Sequence, residues 1–173
     1  VAEQQVLDWS DAILDSAAEL RTAPQDLADA MFFITSAGLR GETAMEALRV
    51  SARASAAGLG DLTSVADAVT SAMNAYGWET LGAEAATDVL VATVREGKLE
   101  ASALAGVIGR LAPLGSEMGV EFSELGGILA ALTRVGFTAA NASTALSAIM
   151  SELLKPSAEA AQVLASVGMS AAG

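Results

Sequence analysis

Neither cysteine nor histidine occurs anywhere in the sequence. Their absence removes disulfides, thiolate nucleophiles, imidazole acid–base chemistry and the commonest zinc ligands. Aromatic residues are nearly as scarce, with four Phe, two Trp and one Tyr in 173 residues, and β-branched residues are sparse and scattered. That leaves little of the material from which sheets are packed. Bases are few as well. Nine Lys and Arg stand against 21 Asp and Glu, a net charge of −12. The bases are scattered and form no patch interleaved with aromatics, and the acidic balance repels nucleic-acid phosphates and anionic membrane surfaces. No run of eighteen predominantly apolar residues exists. The longest charge-free stretch, residues 135–151, carries Thr, Asn and Ser, so it does not read as a membrane span. No basic start precedes an apolar run, as it would in a secretory leader, and the chain is expected to be soluble. No phosphate-cradling glycine loop of the GxxxxGK[ST] or GxGxxG kind is present. The chain opens on Val1 and closes on Ser-Ala-Ala-Gly, as expected of a piece of something longer.

What is abundant is alanine, 39 residues of it. Alanine is the best helix former and adds little sheet-packing surface, so an all-α fold is expected. A second regularity divides the chain. Helical periodicity stops repeatedly at a glycine followed by an apolar residue: Gly38-Leu39, Gly58-Leu59, Gly77-Trp78, Gly119-Val120, Gly136-Phe137 and Gly168-Met169, with Gly97-Lys98-Leu99 a near miss. Glycine just past a helix takes the left-handed backbone without a Cβ penalty, and the apolar residue after it packs back on the last turn. Each interval fits one helix and one turn, except the last, which Pro156 divides in two. About nine short helices result, forming an irregular bundle or array. A regular solenoid is disfavoured, because the units share rhythm but no residue-level repeat.

Start signals agree with this division. Pro24 fits the first turn of a helix opening near Thr22. Asp61 precedes Leu62, Val65, Val69, Met73 and Tyr76, which step by three and four. Thr43 with Glu46 has capping-box spacing, and Ser123 reads as an N-cap before Leu125. Pro113 should kink the helix that carries Leu104, Val107, Leu111 and Leu114.

Carboxylates are the only plausible reactive groups. Glu121 and Glu124 lie one turn apart and could serve as an acid–base pair, or simply decorate a helix N-terminus, where the helix dipole favours them. Asp8, Asp11, Asp15 and Glu19 share one face of a first helix whose other face carries Val6, Ile13 and Leu20. This stripe is either solvated, a contact for a basic partner, or a cation site without the usual loop geometry. Gly126-Gly127 and Gly106-x-x-Gly109 fall inside helices, where glycine costs about 1 kcal/mol against alanine, so close helix contact within the chain or between copies is expected there. Trp9 and Trp78 read as core or interface anchors, Trp78 as a contact closing its helix. No catalytic, metal or cofactor-binding residue is assigned, and no cofactor is expected.

The segment "LGGILAALTRVGFTAANASTALSAIMSELLKPSAEAAQVLASVG" resembles the core region of phage tail tape measure proteins. The family pattern is a helix closed by glycine plus an apolar residue, here Gly136 and Phe137. A small-residue signature follows, here Ala142, Ser143, Thr144, Ala145 and Leu146, with Ser143 where the family usually has glycine. Next come a Leu-x-x-Pro break ending at Pro156, another helix, and a closing glycine, Gly168. "LADAMFFITSAGLRGETAMEALRVSARASAAGLGDLTSVADAVTSAMNAYGWE" and "LAPLGSEMGVEFSEL" resemble the family's earlier helices, so the likeness covers roughly residues 26–169. It implies a tape-measure-like helical region at 26–173; residues 1–25 lie outside the likeness and are expected, from their charge, to form an acidic N-terminal helix segment. It further implies a non-enzymatic structural role: setting tail length during tube assembly, then release at genome ejection. Implied partners are tail tube and tail tip or baseplate proteins, tail assembly chaperones, and further copies in a parallel oligomer. No direct nucleic-acid binding is expected, and membrane contact would come at infection. The place implied is the virion, in the tail tube lumen or tip, after assembly in the host cytoplasm. Two other readings are a membrane-active helical module forming a channel for DNA delivery, and a peptidoglycan-cleaving domain. Arg110, Glu117 and Arg134 interrupt the apolar helices the first would need, and the lack of histidine counts against the second.

Overall fold

A computed structural model describes residues 13, 17, 22–166 and 168. Among them the chain forms eight α-helices and no strand: α1 (Pro24–Ser36), α2 (Gly41–Ala54), α3 (Leu62–Tyr76), α4 (Ala83–Glu96), α5 (Ala101–Glu117), α6 (Phe122–Arg134), α7 (Ala139–Leu154) and α8 (Ala158–Ser166). A single π turn, Ser55–Leu59, continues α2. The expected ninth helix belongs to the N-terminal stretch, which apart from Ile13 and Ala17 lies outside the described residues. Those two are helical and pack against the core.

From α1 to α7, each helix contacts the next in sequence and the next but one. The result is two rows, α1–α3–α5–α7 and α2–α4–α6, laid side by side. This is an open array, not a closed bundle. Its centre is α3, which touches α1, α2, α4 and α5. Helix α3 buries Leu62, Val65, Ala66, Ala68, Val69, Thr70, Ala72 and Met73, more of its surface than one amphipathic stripe would cover, as a helix enclosed on several sides must. Its most extensive partner is α5, which turns Leu104, Ile108 and Leu111 into the same core. Helix α5 runs unbroken through Pro113, a position whose missing N–H removes one helical hydrogen bond.

The glycine punctuation is where the sequence pattern places it. Gly38, Gly58, Gly77, Gly119, Gly136 and Gly168 all have positive φ, between 72° and 108°, and Gly97 does not, at φ −92°. Three of the six close their helices with one paired bonding pattern. Leu39 N–H reaches Ile34 O at 3.3 Å, Val120 N–H reaches Gly115 O at 2.9 Å, and Phe137 N–H reaches Leu132 O at 3.2 Å, each with a companion bond from the glycine itself. These satisfy carbonyls that a helix end otherwise leaves open. Gly77 differs: with ψ 132° it turns the chain away, and its carbonyl accepts from Thr80 and Leu81.

Start signals fared unevenly. Pro24 occupies the first turn of α1, and the Asp61 carboxylate accepts from Ser64 N–H at 2.9 Å as the N-cap of α3. Thr43 is not an N-cap, because α2 begins two residues earlier, at Gly41, after Arg40. The Arg40 guanidinium bonds the carbonyls of Thr35 and Leu39, setting a cation on the carbonyl end of α1, where the helix dipole favours it. Ser123 is likewise inside its helix, and Glu121 is the N-cap of α6.

Candidate functional site

The corner made by α6, α7 and α8 carries the residues of the family pattern. Gly136 is exposed, and Phe137 bonds back through its N–H but leaves its ring 44% exposed, so the turn is closed by backbone more than by side-chain packing. Thr138 then caps α7, its hydroxyl accepting from Asn141 N–H at 3.2 Å. One face of α7 is buried against α5 and α6: Ala139, Ala142, Ser143, Leu146 and Met150. Thr144 points outward and spends its hydroxyl on Ala140 O at 2.9 Å, and Ala145 is half-buried. The signature therefore divides by helical spacing into a buried pair, Ala142 and Ser143, a flank, and buried Leu146. Ser143 is fully buried, and neither its hydroxyl nor that of Ser147 finds a hydrogen-bond partner.

At Pro156 the chain breaks and restarts. Ser157 accepts from Ala160 N–H at 3.2 Å, and its own N–H donates to Glu152 Oε1 at 2.8 Å. Donation from Ser157 holds the Glu152 carboxyl below its ordinary value. Helix α8 beyond the break buries no residue and leaves Val163 63% exposed. Gly168 closes it with φ 76° and a bond to Ala165 O.

A second feature lies between α4 and α6. Two openings of about 340 and 150 Å³ meet at Val89 and Ser123 and together form one groove. Along α4 and the turn before it, the wall is Leu81, Ala85, Val89, Ala92 and Thr93, ending at Glu96; along α6 it is Phe122, Ser123, Gly126, Gly127 and Ala130, with Glu121 at the other end. Glycine makes the close approach beneath it. A Cβ on Gly126 would stand 2.4 Å from Thr93 Oγ1 and 3.0 Å from Val89 Cγ1, whereas one on Gly127 would meet nothing within 4 Å. The expectation for the two glycine pairs thus splits. Gly126 permits contact between helices, Gly109 lies at ordinary distance from Ser71, and Gly127 and Gly106 face open space. The groove itself was not foreseen, and the Gly126-Gly127 pair was the only signal pointing to it.

Glu121 and Glu124 are used structurally. They form the capping box of α6, with Glu121 N–H donating to Glu124 Oε2 at 3.1 Å, so their spacing serves the helix start. Trp78 turns back on the last turn of its own helix through a polar contact and also reaches a neighbour. Its ring lies over the Gly38 turn, and its Nε1 donates to Asn74 Oδ1 at 2.6 Å while Asn74 donates to Ala37 O at 3.0 Å. The pair ties the ends of α1 and α3 together. Asp8, Asp11, Asp15 and Glu19, with Trp9, lie outside the described residues. Among the described residues no helix is long and apolar enough to cross a membrane.

An all-α array of short glycine-closed helices, in which the Glu121–Glu124 pair opens a helix, has the build of a structural protein. Comparison with known proteins narrows the class. A family model described as phage-related minor tail protein matches residues 5–173, and the chain belongs to that family. A tape measure protein of Pneumococcus phage Dp-1 is 24% identical over 157 residues, covering 91% of this chain. The chain spans only 14% of that curated relative's length. No solved structure matches the chain. The resemblance seen in the motifs is thus a family relationship, and the chain is a structural component of a phage tail.

Proposed function

We propose that this chain is a non-enzymatic segment of a tape measure protein, one whose length sets the length of the tail and which leaves the tail at genome ejection. The observation that carries the reading is the match of a tail-protein family along nearly the whole chain, joined to an architecture in which the helices pack mainly on the next in sequence and the next but one. Stability in such an array is close to a sum over adjacent units, so helices can be lost or gained without dismantling the rest. In the assembled tail the segment lies in the tube lumen or at the tip. Its partners are tube and tip or baseplate proteins, assembly chaperones beforehand, and parallel copies of itself. Membrane contact follows only at infection.

In-frame deletion of helix pairs from the gene of the whole tail protein, with tail length read by electron microscopy, tests this. Residues laid end to end as helix contribute about 1.5 Å each, so tails should shorten in proportion to the residues removed. Tails of unchanged length would overturn the length-setting role.

A further inference from the structure

We propose that the groove between α4 and α6 receives a helix from another protein, one with a seam of small apolar residues and a Lys or Arg toward each end. This does not rest on the length-setting reading. The groove starts at Leu81, in the turn before α4, and follows α4 to Glu96; the helix itself spans about 20 Å at 1.5 Å per residue, close to four turns. Its floor is shallow and apolar, because Gly126 draws α6 against Thr93 while Gly127, Ala92 and Ala85 leave the space above unfilled. A small-residue seam fits such a floor better than bulky side chains do, and helices packed through small residues approach to the short end of the 8–10 Å range.

Charge selects the occupant. A carboxylate stands at each end, Glu96 and Glu121, and no lysine or arginine lines either opening. Glu124, beside Glu121 in the capping box, adds to the negative end. Arg95 reaches Glu96 only at 3.5 Å, with both side chains exposed, a pairing that holds little against a competing base. A second copy of the chain would bring a net charge of −12 to a surface that is already acidic. A helix carrying bases near its two ends answers both carboxylates, in the helix-in-groove mode of recognition.

The test uses the 173-residue chain and a fluorescently labelled helical Ala/Leu peptide of about four turns with a lysine near each end. Two control peptides are the same composition scrambled and the same peptide with glutamate in place of lysine. The lysine peptide should bind, and the scrambled and glutamate peptides should bind at least tenfold more weakly. Gly127→Leu fills the groove from a position with open space around it. It should weaken binding at least tenfold while the chain keeps its helical circular dichroism and an equal or higher Tm. Glu96→Gln with Glu121→Gln removes both charges while keeping one oxygen acceptor at each position, and should weaken binding severalfold and flatten its salt dependence. Three results would overturn the proposal: no binding of the lysine peptide, equal binding of the scrambled one, or binding untouched by Gly127→Leu, which would mean a diffuse attraction to an acidic surface. Concentration-dependent dimerisation abolished by Gly127→Leu would also overturn it, by giving the groove to a second copy.

Discussion

The Tyr76 hydroxyl donates to the carbonyl oxygen of Val120 at 2.9 Å, and it can do so because residue 115 has no side chain. A Cβ there would stand 2.6 Å from the Tyr76 oxygen and 3.3 Å from Leu125 Cδ2. The bond pins the end of α3 to the turn after α5, and the Tyr76 ring then meets Phe122 with centroids 5.5 Å apart. One hydroxyl thereby joins α3, α5 and α6.

Gly115→Ala should accordingly destabilise the chain, although alanine is the better helix former by about 1 kcal/mol. Displacing the hydroxyl forfeits a hydrogen bond worth about 1 kcal/mol and leaves a carbonyl short of its partner, a further 1–3 kcal/mol or so. Tyr76→Phe alone should cost about 1 kcal/mol. In the Tyr76→Phe background the hydroxyl is gone and only Leu125 Cδ2, the end of a flexible side chain, stays close at 3.3 Å, so Gly115→Ala should become neutral or stabilising. Urea denaturation of the four proteins measures the coupling. Additive effects would show that the glycine is not there for the hydroxyl.

The same tyrosine gives a pH dependence. Burial, and after it the nearby Glu124 carboxylate, hold the Tyr76 phenol above its ordinary value of 10.0. The folded chain therefore keeps this proton after the unfolded chain has released it. The stabilisation is whole below pH 10 and drains away as pH rises through the higher folded value. Tyr76 is the chain's one tyrosine, so phenolate absorbance reports on it alone. The native chain should titrate later than the same chain in denaturant, and Glu124→Gln should shift the native titration part of the way down. A native titration at or below the denatured one would contradict this.

Gly126 and Gly127 are neighbours in sequence with opposite surroundings, and alanine should separate them. At Gly126 the new methyl would collide with Thr93 and Val89, so α4 and α6 must part, at a cost of about 1–3 kcal/mol for an overpacked contact. At Gly127 it meets nothing, and the substitution should stabilise α6 by about 1 kcal/mol through helix propensity. Thermal unfolding of the two variants reads the contrast directly. Equal shifts would mean that the helices are not held at the spacing described.

Much of this architecture was legible because its signals are local. Gly38, Gly119 and Gly136 could be read as helix ends since the left-handed turn needs only a glycine and its apolar successor, and Asp61 could be read as a cap since its partner is three residues away. Gly97, the near miss, proved to be of a different kind: its lack of a side chain makes room for Leu99 and Thr133, and the second of these belongs to a distant helix. The same limit hid the groove, which depends on how closely α4 approaches α6. It also let Thr43 and Ser123 pass as caps, since α2 begins after Arg40 with no side-chain capping bond, and α6 opens at Glu121 with a capping box that spacing alone ranks no higher. The Glu121–Glu124 pair shows the ambiguity in one motif, with a single spacing serving equally an acid–base pair and a capping box.

The resemblance to tape measure proteins puts a glycine in the place of Ser143, and the environment of this serine predicts what each replacement does. The side chain is fully buried on the face of α7 that meets α5 and α6, and its hydroxyl has no hydrogen-bond partner. Ser143→Ala removes only that oxygen, relieving a buried polar atom whose desolvation costs about 1–3 kcal/mol when unmatched, and alanine also favours the helix. It should raise stability by about 1 kcal/mol. Ser143→Gly removes the oxygen too, but it deletes the Cβ from a packed face and adds backbone freedom to the unfolded chain. It should fall below the alanine variant by about 1 kcal/mol, unless α7 can settle closer to α5. Tm values of the two variants decide between these forces. A glycine variant at least as stable as the alanine one would mean that the interface contracts, and that serine holds the helices further apart than they would otherwise lie.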